Sequence, residues 1–110
     1  MKKNFALVAL NLPIRKEFSY RIPEELQKDI CVGSRVWVDF SKRRLIGFVV
    51  GFREKVNLKK IKDIAAIVDS SPLVDEKMMK LTRWISSRYI CSWGKALEAT
   101  VPVFLKRKGL

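Results

Sequence analysis

Residues 33–51 read GSRVWVDFSKRRLIGFVVG, two apolar runs of strand character joined by a short polar turn. This segment constrains the chain most, because Val36, Val38 and Phe40 alternate with Arg35, Trp37 and Asp39. A period of two sends one set to a buried face and the other toward solvent. The second run sets Ile46, Phe48, Val50 and Phe52 against Leu45, Gly47, Val49 and Gly51. Glycines inside a strand mark a bend, a bulge or the close approach of another backbone. The turn carries Lys42, Arg43 and Arg44 in succession, so the hairpin aims a basic tip away from its core. On a small curled sheet such a tip suits an anionic polymer.

Elsewhere the chain is β-rich first and helical last. Phe5 to Leu10 is predicted as a strand ended by Asn11-Leu12-Pro13, and Glu17 to Ile22 as a shorter one stopped by Pro23, since proline removes a ladder donor and restricts its predecessor. Pro23 to Leu26 reads as a turn or a single helical turn. The charge-dense REKVNLKK after Phe52 reads as a solvated loop, and Ile61 to Val68 as a strand cut off by Asp69-Ser70-Ser71-Pro72. Then the period changes. Asp75 fits the start of a helix running to Tyr89, with Met78, Leu81, Ile85 and Tyr89 on its apolar face. A second helix is predicted from Trp93 to Thr100, with Ala96, Leu97 and Thr100 on one side and Pro102 as its stop. The expected fold class is α+β: a small OB-like β-barrel or curled antiparallel sheet followed by two C-terminal helices. At 110 residues and 48% hydrophobic, residues 1–110 fit one domain with a modest core.

The charge balance narrows the partners. Lys and Arg number 23 against 11 Asp and Glu, a formal net charge of +12, which favours nucleic acid or another polyanion. The bland alternative is a solvated basic surface. Local clusters lie at 42–44, 53–62 and 106–108, none long enough to form a disordered polybasic tail. Cys31 and Cys91 are the two cysteines and the chain has no His, so a four-ligand zinc site of the usual type cannot be assembled. The expected state is two ordinary thiols in a cytoplasmic protein, with no signal peptide and no segment near the roughly 18 apolar residues a membrane span needs.

Catalytic parts are missing as well. There is no GxxxxGK[ST] loop, no GxGxxG and no Ser-His or Cys-His pairing, so the chain reads as a binding module, with Asp39 beside the basic turn as a salt-bridge partner. Aromatic faces give single-strand binders about 1–3 kcal/mol per stacked base. Phe18, Tyr20 and Trp37 are candidates on strands, whereas Trp84 and Tyr89 are expected in the core.

The colinear order of the segments is more specific than any one of them. V-x-L-x-x-P (Val8 to Pro13), F-S-Y-x-I-P (Phe18 to Pro23), G-S-R-V-x-V-x-F (Gly33 to Phe40), I-G-F-V-V (Ile46 to Val50), Lys62 ahead of I-A-A-I-V-D-S-S-P (Ile64 to Pro72), and the segment Trp84 to Pro102 follow one another. In this order they closely resemble the N-terminal domain of the PriA (primosomal protein N′) family of bacterial replication-restart helicases. The resemblance covers nearly the whole chain. It implies a domain excised from a larger ATP-dependent 3′–5′ helicase. That helicase's ATP, Mg and Zn sites lie elsewhere, and no cofactor is expected in this chain.

The function implied is capture of the 3′ end of the nascent leading strand at a stalled or branched fork, orienting the helicase for replication restart. Implied partners are forked DNA with a 3′ end, the rest of the helicase, single-strand DNA-binding protein and other primosome proteins, with no membrane. The family's pocket draws on an F-D-Y strand, the turn after a V-x-V-P-F strand, and a basic residue before the next apolar segment. Carried over, these are Phe18, Ser19 and Tyr20, then Ser41 and Lys42, and Lys62, with Arg43 and Arg44 as further phosphate contacts. Two positions depart from the pattern: Ser19 stands for the usual aspartate and Ser41 for the usual glycine. Ser19 keeps hydrogen bonding but not the charged acceptor that makes such bonds roughly twice as strong, and Ser41 adds a Cβ where the family leaves room. Two other readings remain: a general single-strand nucleic-acid binder without end preference, and a module for an acidic partner tail.

Overall fold

The computed structural model describes residues 4–12, 16–56, 61–69, 72–88 and 92–107, with 102–107 described by backbone alone. Its strands are β1 (Phe5–Leu10), β2 (Phe18–Arg21), β3 (Arg35–Phe40), β4 (Arg43–Arg53) and β5 (Ala66–Ile67), followed by helices α1 (Glu76–Arg88) and α2 (Trp93–Arg107). The strands pair antiparallel in the order β2-β1-β4-β3-β5. This is the α+β, OB-like arrangement expected. A 3₁₀ turn at Glu24–Leu26 is the single helical turn anticipated after Pro23.

Alternation decides what fills the sheet's concave side. Ala6, Val8 and Leu10 of β1 meet Val36 and Val38 of β3, Val49 of β4, and Tyr20, Ile22, Ile30 and Ile64 in one buried cluster. Gly47 keeps that cluster closed, because a Cβ there would run into the Val8 and Leu10 side chains. β4 departs from the one-faced reading. Its Phe48 packs with Ala9, directly opposite in register, and with Leu73, Val74, Met79, Leu97 and Val101 in a second cluster under the helices. Both faces of β4 are therefore buried, each large side chain contributing about 1.5–3 kcal/mol. The register with β1 slips between Leu7/Val8, where Leu7 faces Gly51 and Val8 faces Val49. The extra residue, Val50, is a bulge, which lets Val49 and Phe52 both pack toward the first cluster although they are three apart.

The sheet's two edges are drawn together by residues 62–64. The Arg21 N–H donates to the Lys62 carbonyl at 2.9 Å, and the Ile64 N–H donates to the Arg21 carbonyl at 3.0 Å. A bidentate Arg21–Asp63 pair at 2.7 and 2.9 Å ties the same point. One residue later the Ala65 N–H turns to the Trp37 carbonyl of β3 at 2.8 Å. The strand expected over Ile61 to Val68 is thus a bridge at Asp63 and a two-residue β5. The segment changes partner in the middle, so no single ladder can run its length.

The helical layer corrects the sequence reading more sharply. Asp75 caps α1 as expected, its carboxylate accepting from the Met78 N–H at 2.8 Å. The buried stripe of α1, however, is Met79, Thr82 and Ser86, while Leu81 is exposed and Trp84, expected in the core, is 52% exposed. Small polar residues win because α2 packs close. Thr82 Oγ1 accepts from Trp93 Nε1 at 3.0 Å and points its own proton back at the Met78 and Met79 carbonyls. At the start of α2, a Cβ on Gly94 would collide with the Leu10 carbonyl oxygen. The Ser92 hydroxyl caps α2 through the Lys95 N–H at 3.0 Å, and α2 continues through Pro102 to Arg107 rather than ending before it. That proline forfeits one helical hydrogen bond without stopping the helix. Tyr89 and Cys91, and with them any Cys31–Cys91 pairing, lie outside the described residues, as does the 57–60 part of the charged loop.

Candidate nucleic-acid interface

Where the sheet edges meet, a cavity of about 340 Å³ opens between β2, the end of β3 and Lys62. From β2 come Phe18, Ser19 and Tyr20; from β3 and its turn come Asp39, Phe40 and Ser41. Main-chain bonds at Arg21 fix where Lys62 emerges. The Tyr20 hydroxyl donates to the Asp39 carbonyl at 3.1 Å, tying β2 to β3 across the opening. The Phe18 and Phe40 rings meet edge to face, centroids 4.9 Å apart. Aromatic packing thus joins Phe18 and Phe40 across the lining, which also includes Ser19, Asp39, Ser41 and Lys62.

The β3–β4 turn is two residues long, and both have positive φ, 48° at Ser41 and 68° at Lys42. Such turns match the right-handed twist of a hairpin but favour glycine or asparagine. Ser41 therefore sits in a left-handed conformation that costs an ordinary side chain about 1–2 kcal/mol. Arg43 and Arg44 do not extend the turn; they are the first residues of β4, and both are exposed. Arg44 Nε lies 3.0 Å from Asp39 Oδ1, the salt-bridge role read for Asp39.

Electrostatics follow from these contacts. The Arg44 hydrogen bond, with help from the Arg44 and Lys62 charges, holds the Asp39 carboxyl below the usual carboxylate range. Burial first, and then the Asp39 charge, push the Tyr20 phenol up to about 12. At neutral pH the cavity mouth therefore holds a charged carboxylate and a neutral phenol.

Of the residues singled out from sequence, Phe18, Ser19, Tyr20, Ser41 and Lys62 come together at this cavity, whereas Lys42, Arg43 and Arg44 are not among its lining. Tyr20 is buried in the barrel core, so its ring supports the wall, and half-buried Phe18 is the aromatic within a ligand's reach. Trp37 sits on the outward side of β3, away from the cavity. Asp39 and Phe40 were missed as site residues. Asp39 occupies the proline position of the V-x-V-P-F pattern, a departure that could have flagged it.

The sequence matches the family described as the PriA "3′DNA-binding domain (3′BD)" over residues 7–102. The chain belongs to this family. It is 34% identical over 110 residues to the Replication restart protein PriA of Bacillus subtilis, covering 96% of this chain and 14% of that protein. It is 31% identical over 100 residues to the protein of the same name from the Buchnera aphidicola of Acyrthosiphon pisum, covering 89% of this chain and 14% of the relative. The protein of that name in Treponema pallidum is 31% identical over 101 residues, with 86% and 15% coverage. The chain thus spans about one seventh of its relatives' length. It corresponds to the DNA-binding domain of PriA rather than its helicase portion. Among the described residues no helix is long and apolar enough to cross a membrane.

Proposed function

We propose that this PriA-family domain holds the free 3′ terminus of a nascent leading strand in the seam cavity. In doing so it orients a PriA-type helicase at a stalled or branched fork for replication restart. The observation that carries the reading is the cavity's lining: Phe18, Ser19, Ser41, Lys62 and one acidic residue, Asp39, around one opening. Phe18 offers a face or edge to the terminal base, and Lys62 meets the last phosphodiester. Asp39 accepts a hydrogen bond from a terminal hydroxyl and repels a terminal phosphate. The carboxylate missing at Ser19 is thereby supplied from β3, and the binding needs no cofactor in this chain.

Pairing with Asp39 removes Arg44 from the free cations, leaving Lys42, Arg43 and Lys62 for phosphates. With a single-strand slope of about −0.7 per contact, three contacts weaken binding roughly 20-fold between 50 and 200 mM salt, against roughly 50-fold for the four counted from sequence. The decisive experiment is competition between identical forked DNAs whose 3′ leading-strand end carries a hydroxyl or a phosphate. The hydroxyl form is expected to win by about tenfold or more, because a hydrogen bond to a charged group contributes about 1.5–3 kcal/mol. Equal binding overturns the reading in favour of a general single-strand binder. Asp39→Ala is expected to narrow the preference while freeing Arg44, which steepens the salt slope by about 0.7.

A further inference from the structure

A second cavity, of about 430 Å³, lies beyond the first, between the outer side of the sheet and the helical layer. Lys16, Arg53 and Arg83 line it against one carboxylate, Glu17, with Ser87 and Trp93 alongside. Arg83 is held in place: its Nη1 is 3.0 Å from Glu17 Oε1, and its guanidinium lies 4.7 Å from the Trp93 ring centroid. A guanidinium fixed by a carboxylate and a ring keeps further N–H donors for another acceptor, and ordering it costs little entropy on binding. Lys16 and Arg53 are exposed, and no salt bridge joins them to a described carboxylate.

The two cavities adjoin. Leu7, part of the second cavity's lining, is the register partner of Ser19, which lines the first. Lys16 Nζ stands 5.7 Å from the ring centroid of Phe18, so one lysine borders both sites. On the other side of Leu7 is Gly51, where an added Cβ would meet nothing within 4 Å. The side of the second cavity away from the seam is therefore open beside Leu7.

We infer that Lys16, Arg53 and Arg83 form a second, phosphate-binding site. It takes the sugar-phosphate backbone of the same DNA strand a few nucleotides before the 3′ terminus seated in the seam cavity. The inference rests on the end-capture reading, and strand continuity favours DNA over an acidic peptide: a polyanion whose end sits against Phe18 must leave the cavity past Lys16.

The test uses the variant Arg53→Gln, at an exposed position outside the seam cavity, which should leave the fold unchanged by circular dichroism. Binding is measured for 3′-hydroxyl oligonucleotides of about 4 and about 12 nucleotides, within the roughly 4–16 nucleotide footprint of small barrels. For the longer strand the salt slope is expected to shrink by about 0.7, one contact, with the short strand's affinity unchanged. An unchanged slope on the long strand overturns the second site. Equal weakening of both strands also overturns it, since Arg53 would then be acting on the strand end itself. Tighter binding of a poly-glutamate peptide than of the long strand at this site overturns it in favour of a protein partner. Loss of hydroxyl preference by the unmodified domain on the short strand instead sinks the end-capture reading, so the two failures are told apart.

Discussion

The seam of the barrel and the helical layer spend their polar side chains in opposite ways. At the seam, backbone bonds such as Arg21 N–H to the Lys62 carbonyl do most of the holding, helped by the Arg21–Asp63 pair and the Tyr20 hydroxyl, while Lys62 and Ser19 line the cavity with no side-chain hydrogen bond among the described residues. In the helical layer, side chains do the holding: Thr82 receives Trp93, Ser92 caps α2 and Arg83 clasps Glu17. A ligand site needs groups whose position is fixed but whose bonding capacity is unspent. The seam meets that condition for a terminal nucleotide, and most of the helical layer does not.

The largest effect expected from breaking this division is Gly94→Ala. The added Cβ meets the Leu10 main-chain oxygen, which cannot swing aside as a side-chain tip would, so α2 must lift from β1. A loss of about 3 kcal/mol is expected in urea unfolding, with hydroxyl-over-phosphate preference retained by the molecules that stay folded. Loss of that preference in the folded fraction would show that the seam depends on the helices. Next in size is Thr82→Val, which keeps shape but leaves the Trp93 N–H without its acceptor. A cost of about 1–3 kcal/mol is expected, and affinity for the short 3′ oligonucleotide should not move.

The same division explains what the sequence made legible. Strand alternation and proline stops marked β1 and the β3–β4 hairpin, and buried residues such as Val36 and Val38 followed from the period of two. Nothing local revealed that β4 is covered on both sides, because Phe48 is buried by helices more than twenty residues away. On α1 the expected face holds in part, with Met78 against the second cluster and Ile85 half-buried, but close packing puts Thr82 and Ser86 at its centre and leaves Leu81 exposed. The resemblance carried Phe18, Ser19, Tyr20, Ser41 and Lys62 to the cavity. Asp39 and Phe40 joined it only through the long-range Tyr20–Asp39 and Phe18–Phe40 contacts. The second cavity combines Lys16, Arg53 and Arg83 from separate parts of the chain, so no motif could have announced it.

A smaller effect, of opposite sign, is expected at the turn. Ser41→Gly relieves the left-handed φ of 48° but gives back part of the gain as unfolded-state entropy. The net expectation is about 0.5–1 kcal/mol of added stability, read as a rise of a few degrees in melting temperature. A melting temperature that falls would mean the Ser41 hydroxyl makes a contribution larger than the strain.

The smallest expected effect is an absence of pH dependence across the neutral range. Asp39 is held below its ordinary range by the Arg44 hydrogen bond, and Asp63 by that of Arg21. A carboxyl depressed on folding contributes stability that is present above its unfolded pKa and is lost as pH falls through the lower folded value. Tyr20 runs the other way: its phenol, pushed up to about 12, contributes fully below the ordinary tyrosine value of about 10 and loses that contribution as pH rises toward 12. With no His in the chain, stability and affinity for the 3′-hydroxyl strand are therefore expected to be flat from about pH 6 to 7.5, whereas a 3′-phosphate changes its own charge near about pH 6. As pH falls through the lowered Asp39 value, protonation of that carboxylate should release Arg44 and weaken the discrimination against a 3′-phosphate. Titrating the preference against pH on matched 3′-hydroxyl and 3′-phosphate strands reads this directly. A midpoint near neutrality in the binding of the 3′-hydroxyl strand alone would require a titrating group other than Asp39, and would remove that carboxylate from the recognition chemistry.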